Sequence, residues 1–384
     1  MKRTSPEEFP ALVPPEPPEL ARLFDYRFLA SLEIFDELVD ATAWRMLELL
    51  GAVPDAGGID PELLAAERGL VERIRVPFRF LFQKLASSGT LRREGALFFR
   101  GETPVGSFEE LALELEARSP EAAVGAEILR ILLEESPAYF SGAKTGEEIL
   151  FSPARLSLWF RFFSNENPLY AINNLVGAEA LARAAPADGA SVLEVGGGAG
   201  SAAQAALARL GPRISCYRFT ELVPTFLRRG ERAVRAAAPP GTSVATQRLD
   251  MTKPWGEQGI APGSVDAVYA VNCFHVAPDL GFVLAEAARA IRPGGAVVVS
   301  ECMRPTGSTR PIYMELVFDF LESFTNVSTD PERRPVHGFL TPLHWRRSFA
   351  AAGLPDVEVL PDVDTMATRY ARFFVGAAIA RRSG

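Results

Sequence analysis

The run Ser191-Val-Leu-Glu-Val-Gly-Gly-Gly-Ala-Gly-Ser201 constrains this chain more than any other stretch. A short apolar strand ends at Glu194, and Gly196, Gly198 and Gly200 then permit a tight turn whose backbone, free of side chains, can come close to a ligand. Ala202, Ala203, Ala205 and Ala206 continue as a helix. Strand, glycine turn and helix N-terminus together form a nucleotide-binding platform. From Gly189 onward strand-like and helix-like segments alternate, which implies an α/β fold with a parallel sheet. Strands are expected near 191–195, 213–219, 244–249, 265–271, 295–301, 356–360 and 373–380. The last two lie close together and are expected to pair as an antiparallel hairpin at the sheet edge.

Two cofactors compete for the glycine turn. Gly198-x-Gly200-x-x-Ala203 loosely satisfies the dinucleotide fingerprint, with Glu221 about 20 residues on as the ribose-binding acid. Glu194-x-Gly196-x-Gly198-x-Gly200 instead resembles the first motif of S-adenosylmethionine-dependent methyltransferases of the Rossmann-like class. An acid at the strand end suits a ligand carrying an amino group and a sulfonium better than one carrying phosphates. The downstream residues fall on the same side.

In a doubly wound sheet the ligand lies across the carboxyl ends of the strands. Glu221 follows the second strand and is a candidate acceptor for ribose hydroxyls. Asp250 follows the third, as a candidate acceptor for the adenine amino group, with Met251 against the ring. The fourth strand runs into Asn272-Cys-Phe-His275, and the fifth, after Pro293-Gly-Gly295, ends in Glu301. The fourth and fifth strands are neighbours, so His275 and Glu301 are expected close together. Methyl transfer from a sulfonium needs an aligned nucleophile and removal of its proton. An imidazole, with an ordinary pKa of about 6.5, suits that task, and a carboxylate on its other nitrogen fixes the tautomer.

The segment from Val192 to Pro305 resembles the methyltransferase domains of polyketide synthases and related freestanding enzymes. Their pattern is Phe-Thr-Asp after the second strand, Asn-x-x-His after the fourth, and Pro-Gly-Gly before a fifth strand ending in Glu. Here it stands as Phe219-Thr-Glu221, Asn272-Cys-Phe-His275, Pro293-Gly-Gly295 and Glu301. The resemblance implies His275 as base, Glu301 as its orienting partner and S-adenosyl-L-methionine as cofactor. It places Asn272 with the cofactor-binding residues and makes 128–181 a helical lid. Glu221 in place of Asp is a departure that touches the ribose contact.

Before that segment the chain divides by composition. Residues 1–20, rich in Pro and Glu, are expected to be a disordered arm. Residues 21–105 read as helices followed by a strand–turn–strand, a winged-helix-like unit similar to the N-terminal part of small-molecule O-methyltransferases. Residues 106–185 read as an aromatic-rich helical lid, interrupted at Phe163-Ser-Asn-Glu-Asn-Pro-Leu-Tyr170, and 186–384 as the catalytic domain. Tyr170, His337 and His344 are candidate acceptor contacts. His337 and His344 stand seven apart across a Pro, a poor metal-ligand spacing, so no metal is expected.

The net charge of −8 argues against a nucleic-acid partner, and the aromatic candidate recognition helix near Phe78 argues the same way. Cys216, Cys273 and Cys302 show no metal-type spacing, and neither an apolar leader nor a membrane-length apolar run is visible. The expectation is a cytoplasmic homodimer acting on a small-molecule or carrier-tethered acceptor. Its reaction is expected to be methyl transfer to a polyketide-like or aromatic secondary metabolite. The small-molecule-type N-terminus places a hydroxyl acceptor ahead of an acidic α-carbon. An NAD-dependent oxidoreductase and a non-catalytic winged-helix regulator stand behind both.

Overall fold

A computed structural model describes residues 26–370 and 372–384. The arm expected over 1–20 lies outside the described residues. Among those described, one compact unit comprises 26–162 and 308–326, and a second comprises 163–307 and 327–384.

The first unit opens with α1 (Tyr26–Leu49), whose buried face includes Phe28, Leu32, Phe35, Leu38 and Leu47 at helical spacing. α2 (Pro61–Glu67) starts where the Asp60 carboxylate accepts from the Glu62 and Leu63 N–H groups, with Pro61 in the first turn. α3 (Glu72–Ser87) leads into the antiparallel hairpin β1 (Leu91–Glu94) and β2 (Leu97–Arg100). Then come α4 (Phe108–Arg118), α5 (Ala123–Phe140), α6 (Gly146–Leu150) and α7 (Leu156–Phe162). Aromatic edges join these helices: Phe78 meets Phe82 at 5.4 Å and Phe140 at 6.1 Å. Trp159 and Phe162 are fully buried, so much of the aromatic stripe is core.

The second unit begins at α8 (Pro168–Ala184), capped by Asn167. It continues through β3 (Ala190–Glu194), α9 (Ser201–Leu210), β4 (Ile214–Thr220), α10 (Pro224–Ala237), β5 (Ser243–Gln247), β6 (Val265–Val271), α11 (Leu280–Ala290) and β7 (Ile291–Cys302). The chain next contributes α12 (Glu315–Phe318) and α13 (Glu322–Thr325) to the first unit. It finishes in the second with α14 (Pro342–Ala351), β8 (Asp356–Leu360), α15 (Val363–Arg369) and β9 (Val375–Arg381). The sheet order is β5-β4-β3-β6-β7-β9-β8. All neighbours are parallel except β9, which pairs antiparallel with both β7 and β8. The expected Rossmann-like sheet with its C-terminal antiparallel hairpin is present, with the short α15 between the hairpin strands.

β6 is buried at every position, as a strand covered on both faces must be. On one face Leu193, Val268 and Val297 pack with Trp345 and Phe349 of α14. On the other lies α8, where a Cβ on Gly177 would fall 2.9 Å from the Tyr269 hydroxyl and from Ser300 Cβ. α8 falls within the stretch 106–185 and packs directly on β6, β7 and β9. The strand order reverses between β3 and β6, and such a switch point opens a crevice at the strands' carboxyl ends.

Candidate active site

The glycine turn joins β3 to α9 at that crevice. Gly196, Gly198 and Gly200 have φ of +67°, +55° and +91°, which an L side chain rarely adopts. Space is as restrictive as φ. A Cβ on Gly196 would lie 2.2 Å from Cys273 Sγ, and one on Gly197 would lie 2.2 Å from the Phe219 ring. The backbone is thus held against the ends of β4 and β6 with nothing between.

Four expected cofactor residues surround it. Glu194 is fully buried; its Oε2 accepts from the Tyr217 hydroxyl at 2.9 Å, while Oε1 has no partner. Burial raises its pKa to about 8, against the pull of the Tyr217 hydrogen bond. Glu221 Oε2 accepts from the Gly198 N–H at 2.9 Å and Oε1 from the Val223 N–H at 2.8 Å, tying the acid to the turn. Asp250 Oδ1 accepts from the Thr252 N–H and hydroxyl, and Oδ2 meets Lys253 Nζ at 3.1 Å. Those hydrogen bonds, the Thr252 hydroxyl foremost, hold its pKa below the usual value. Met251 Sδ lies 3.9 Å from Cys273 Sγ, so the ends of β5 and β6 meet beside Gly196.

Beyond β6 the backbone is irregular. Asn272 has φ +47°, the one non-glycine positive φ among the described residues, and its N–H donates to Ser300 O at 2.8 Å. Such a conformation costs about 1–3 kcal/mol and persists only where its surroundings impose it. The Asn272 side chain hydrogen-bonds the Tyr170 hydroxyl, and its Oδ1 is buried without a partner. Burial drives the Tyr170 phenol well above its ordinary value, with Glu301 and Glu194 adding to the rise.

The next turn carries His275, 5% exposed, whose Nδ1 lies 2.6 Å from Oε2 of the fully buried Glu301. Glu301 Oε1 accepts from the Cys273, Phe274 and His275 N–H groups at 3.1, 3.0 and 3.4 Å. Phe339 packs its ring 4.9 Å from the imidazole. Sequence reasoning missed Phe339, and it also missed Arg334. That side chain is 2% exposed and donates from Nη2 to His275 O and from Nη1 to Ala277 O, each at 2.5 Å.

The other two histidines stand differently. His344 accepts the Thr341 side chain into a capping box: its Nδ1 is 3.0 Å from Thr341 Oγ1 and its N–H donates to that oxygen at 3.2 Å, closing the start of α14. Burial, with Arg347 adding to it, lowers the His344 pKa. His337 is half-buried in the loop before α14. Among the described residues no three His, Cys, Asp or Glu side chains cluster as a metal site, and no helix is long and apolar enough to cross a membrane.

These residues fit S-adenosylmethionine on the chain's own terms. Two buried oxygens, Glu194 Oε1 and Asn272 Oδ1, lack donors, and an amino group and hydroxyls supply donors. The turn beside them has no room for a side chain at Gly196 or Gly197, and at Gly198 it opens onto free space with a backbone that an L side chain rarely adopts.

Comparison with known proteins agrees. Residues 193–297 match the family model described as "Methyltransferase domain". Polyketide synthase ThaQ of Burkholderia thailandensis is 26% identical over 247 residues, which cover 62% of this chain and 11% of the synthase. The chain thus spans about a tenth of that relative's length. The solved DszA carbon methyltransferase superposes with a TM-score of 0.71 at 19% identity, covering 97% of each chain. The CurJ carbon methyltransferase gives 0.70 at 21% identity, covering 92% of this chain and 91% of its own. Residues 193–297 thus form a methyltransferase domain, and the chain resembles the class I S-adenosylmethionine-dependent methyltransferase domains of polyketide synthases.

Proposed function

We propose that the chain methylates the acidic α-carbon of a polyketide-type acyl substrate, with His275 as general base and Glu301 as its orienting partner. The buried Nδ1–Oε2 contact of 2.6 Å carries this reading. With Nδ1–H directed at a carboxylate, a neutral imidazole presents Nε2 as its proton acceptor. Nε2 takes the α-proton, and the resulting imidazolium faces Glu301. The carbon's electron pair would then form the C–C bond, at the expense of the methyl's bond to sulfur, whose electrons would stay on sulfur. When bound, the cofactor supplies a methyl group on an already activated sulfonium.

Glu194, Gly196, Gly198, Gly200 and Glu221 are assigned to the cofactor's amino acid and ribose, Asp250 and Met251 to adenine, and Asn272 to holding it beside Tyr170. Tyr170 is retained as an acceptor contact because it bonds Asn272 next to the pair. His344 has a local task in the α14 cap. His337 rests on its position in the sequence alone.

Sequence alone put oxygen ahead of carbon. What supports carbon is that DszA and CurJ, the two fold relatives above, are both named carbon methyltransferases. The test is product analysis with methyl-13C S-adenosylmethionine and two acceptors, the acetoacetyl thioester of N-acetylcysteamine and a simple phenol. A carbon-bound methyl signal on the thioester is expected. An oxygen-bound methyl on either acceptor, or no transfer by protein that binds S-adenosylhomocysteine, would overturn the carbon assignment.

A further inference from the structure

The turn that carries His275 holds itself only through the Val276 N–H to Cys273 O at 3.2 Å and the Ala277 N–H to Phe274 O at 3.1 Å. It is a single 3-10 turn, Phe274–Val276, entered through Asn272 at φ +47° and Cys273 at φ −129°, ψ −50°. Buried backbone N–H and C=O groups must all find partners, and those bonds leave the Cys273, Phe274 and His275 N–H groups and the His275 and Ala277 C=O groups to be met from outside the turn. The N–H side of the turn is collected by Glu301 Oε1, which accepts from three consecutive residues. The C=O side is collected by the guanidinium of Arg334, reaching back 59 residues to His275 O and 57 to Ala277 O.

Arg334 is itself fixed. Its N–H donates to Asp330 O at 2.8 Å and its C=O accepts from the Asp330 N–H at 2.8 Å. The Ser328 N–H donates to Pro278 O at 2.8 Å, tying this loop to the end of the His275 segment. Burial lowers the guanidinium pKa to about 10, and Glu301 and Asp279 oppose that fall, so the group stays cationic near neutral pH. A buried arginine is costly, and its neighbour Arg333 lies exposed on an ordinary ion pair with Asp330.

We infer that Arg334 is the positioning residue of the active site: its two carbonyl contacts set the angle at which the 3-10 turn presents the His275 imidazole to Glu301 and to the acceptor. This rests on the proposed role of His275 as base. The inference assigns Arg334 no contact with substrate or cofactor. A displacement of about 1 Å at a reacting group costs about 100-fold in rate, which is the loss expected when the carbonyl clamp is removed.

The chain's three histidines make the test direct. Full-length protein labelled with 15N-histidine, saturated with S-adenosylhomocysteine, is compared as wild type, Arg334→Met and Arg334→Lys. Wild type is expected to show His275 as one tautomer, protonated at Nδ1. Arg334→Met is expected to bind S-adenosylhomocysteine as wild type does, to show mixed His275 tautomers, and to lose about 100-fold in kcat on the acetoacetyl thioester with KM little changed. Arg334→Lys, which keeps the charge but reaches one carbonyl, is expected to fall between; it carries the same test if Met does not fold. An unchanged His275 spectrum and unchanged kcat in a folded variant would overturn the inference. Where His275→Ala is inactive, that result removes Arg334 alone. A fully active His275→Ala would instead remove the base reading and this inference with it.

Discussion

Glu301 divides its two oxygens between two tasks, one orienting the imidazole and one holding the backbone beneath it. Glu301→Gln is therefore expected to lower transfer by about 100-fold or more while leaving S-adenosylhomocysteine affinity nearly intact, read by steady-state kinetics beside calorimetry. Glu194 is the other informative acid. Its folded pKa of about 8 stands above the ordinary carboxyl value of 4.5, so between those limits the folded protein holds a proton that the unfolded chain has released. Stability contributed this way is complete below about 4.5 and is lost as pH rises to about 8. Glu194→Gln is expected to flatten that part of the Tm–pH curve by removing a pH-dependent contribution on the order of a few kcal/mol. An unchanged slope would contradict the assignment. Both acids were legible in the sequence because they close strands. Arg334 was not: it sits in an Arg-Arg pair that reads as surface, and its carbonyl partners are 57 and 59 residues away.

At the scale of elements, the glycine turn and α10 are packed as one piece. Gly230 sits inside α10, where Ala would normally stabilise a helix by about 1 kcal/mol. Here a Cβ would fall 2.2 Å from the ring of fully buried Phe219 and 2.9 Å from Gly198 O. Gly230→Ala is expected to lower stability by about 1–3 kcal/mol in denaturant melts and to weaken S-adenosylhomocysteine binding. A gain in stability would contradict the packing. The strands were readable from alternation and turn residues, and six of the seven begin and end within two residues of expectation. The seventh, β7, starts at Ile291, four before the expected 295, because the Pro-Gly-Gly turn is drawn into the strand. Which side of α8 meets the sheet is not legible in the sequence, because buried residues ring most of its circumference and no polar face marks it.

The described residues form two compact units, and the first is discontinuous in sequence. It holds a buried ion cluster: Lys84 Nζ lies 2.5 Å from Asp40 Oδ1 and 3.2 Å from Asp36 Oδ1, with all three side chains nearly inaccessible. Lys84→Met removes the buried cation the two carboxylates share, while Arg310 Nη2 stays 3.9 Å from Asp36 Oδ2, a change that costs about 3–5 kcal/mol. Hydrogen exchange is expected to quicken across 26–162 and 308–326 together while β3, β6 and β7 keep their protection. Loss confined to 26–162 would contradict the unit as drawn. Nothing local in the sequence signals that 308–326 belongs with residues so far upstream; only tertiary packing does.

The most direct test is single-turnover transfer of labelled methyl from saturating S-adenosylmethionine to the acetoacetyl thioester of N-acetylcysteamine, wild type against His275→Ala. The account expects the variant to bind S-adenosylhomocysteine as wild type does and to transfer about 10²–10⁴ times more slowly. A variant that transfers at the wild-type rate would contradict it.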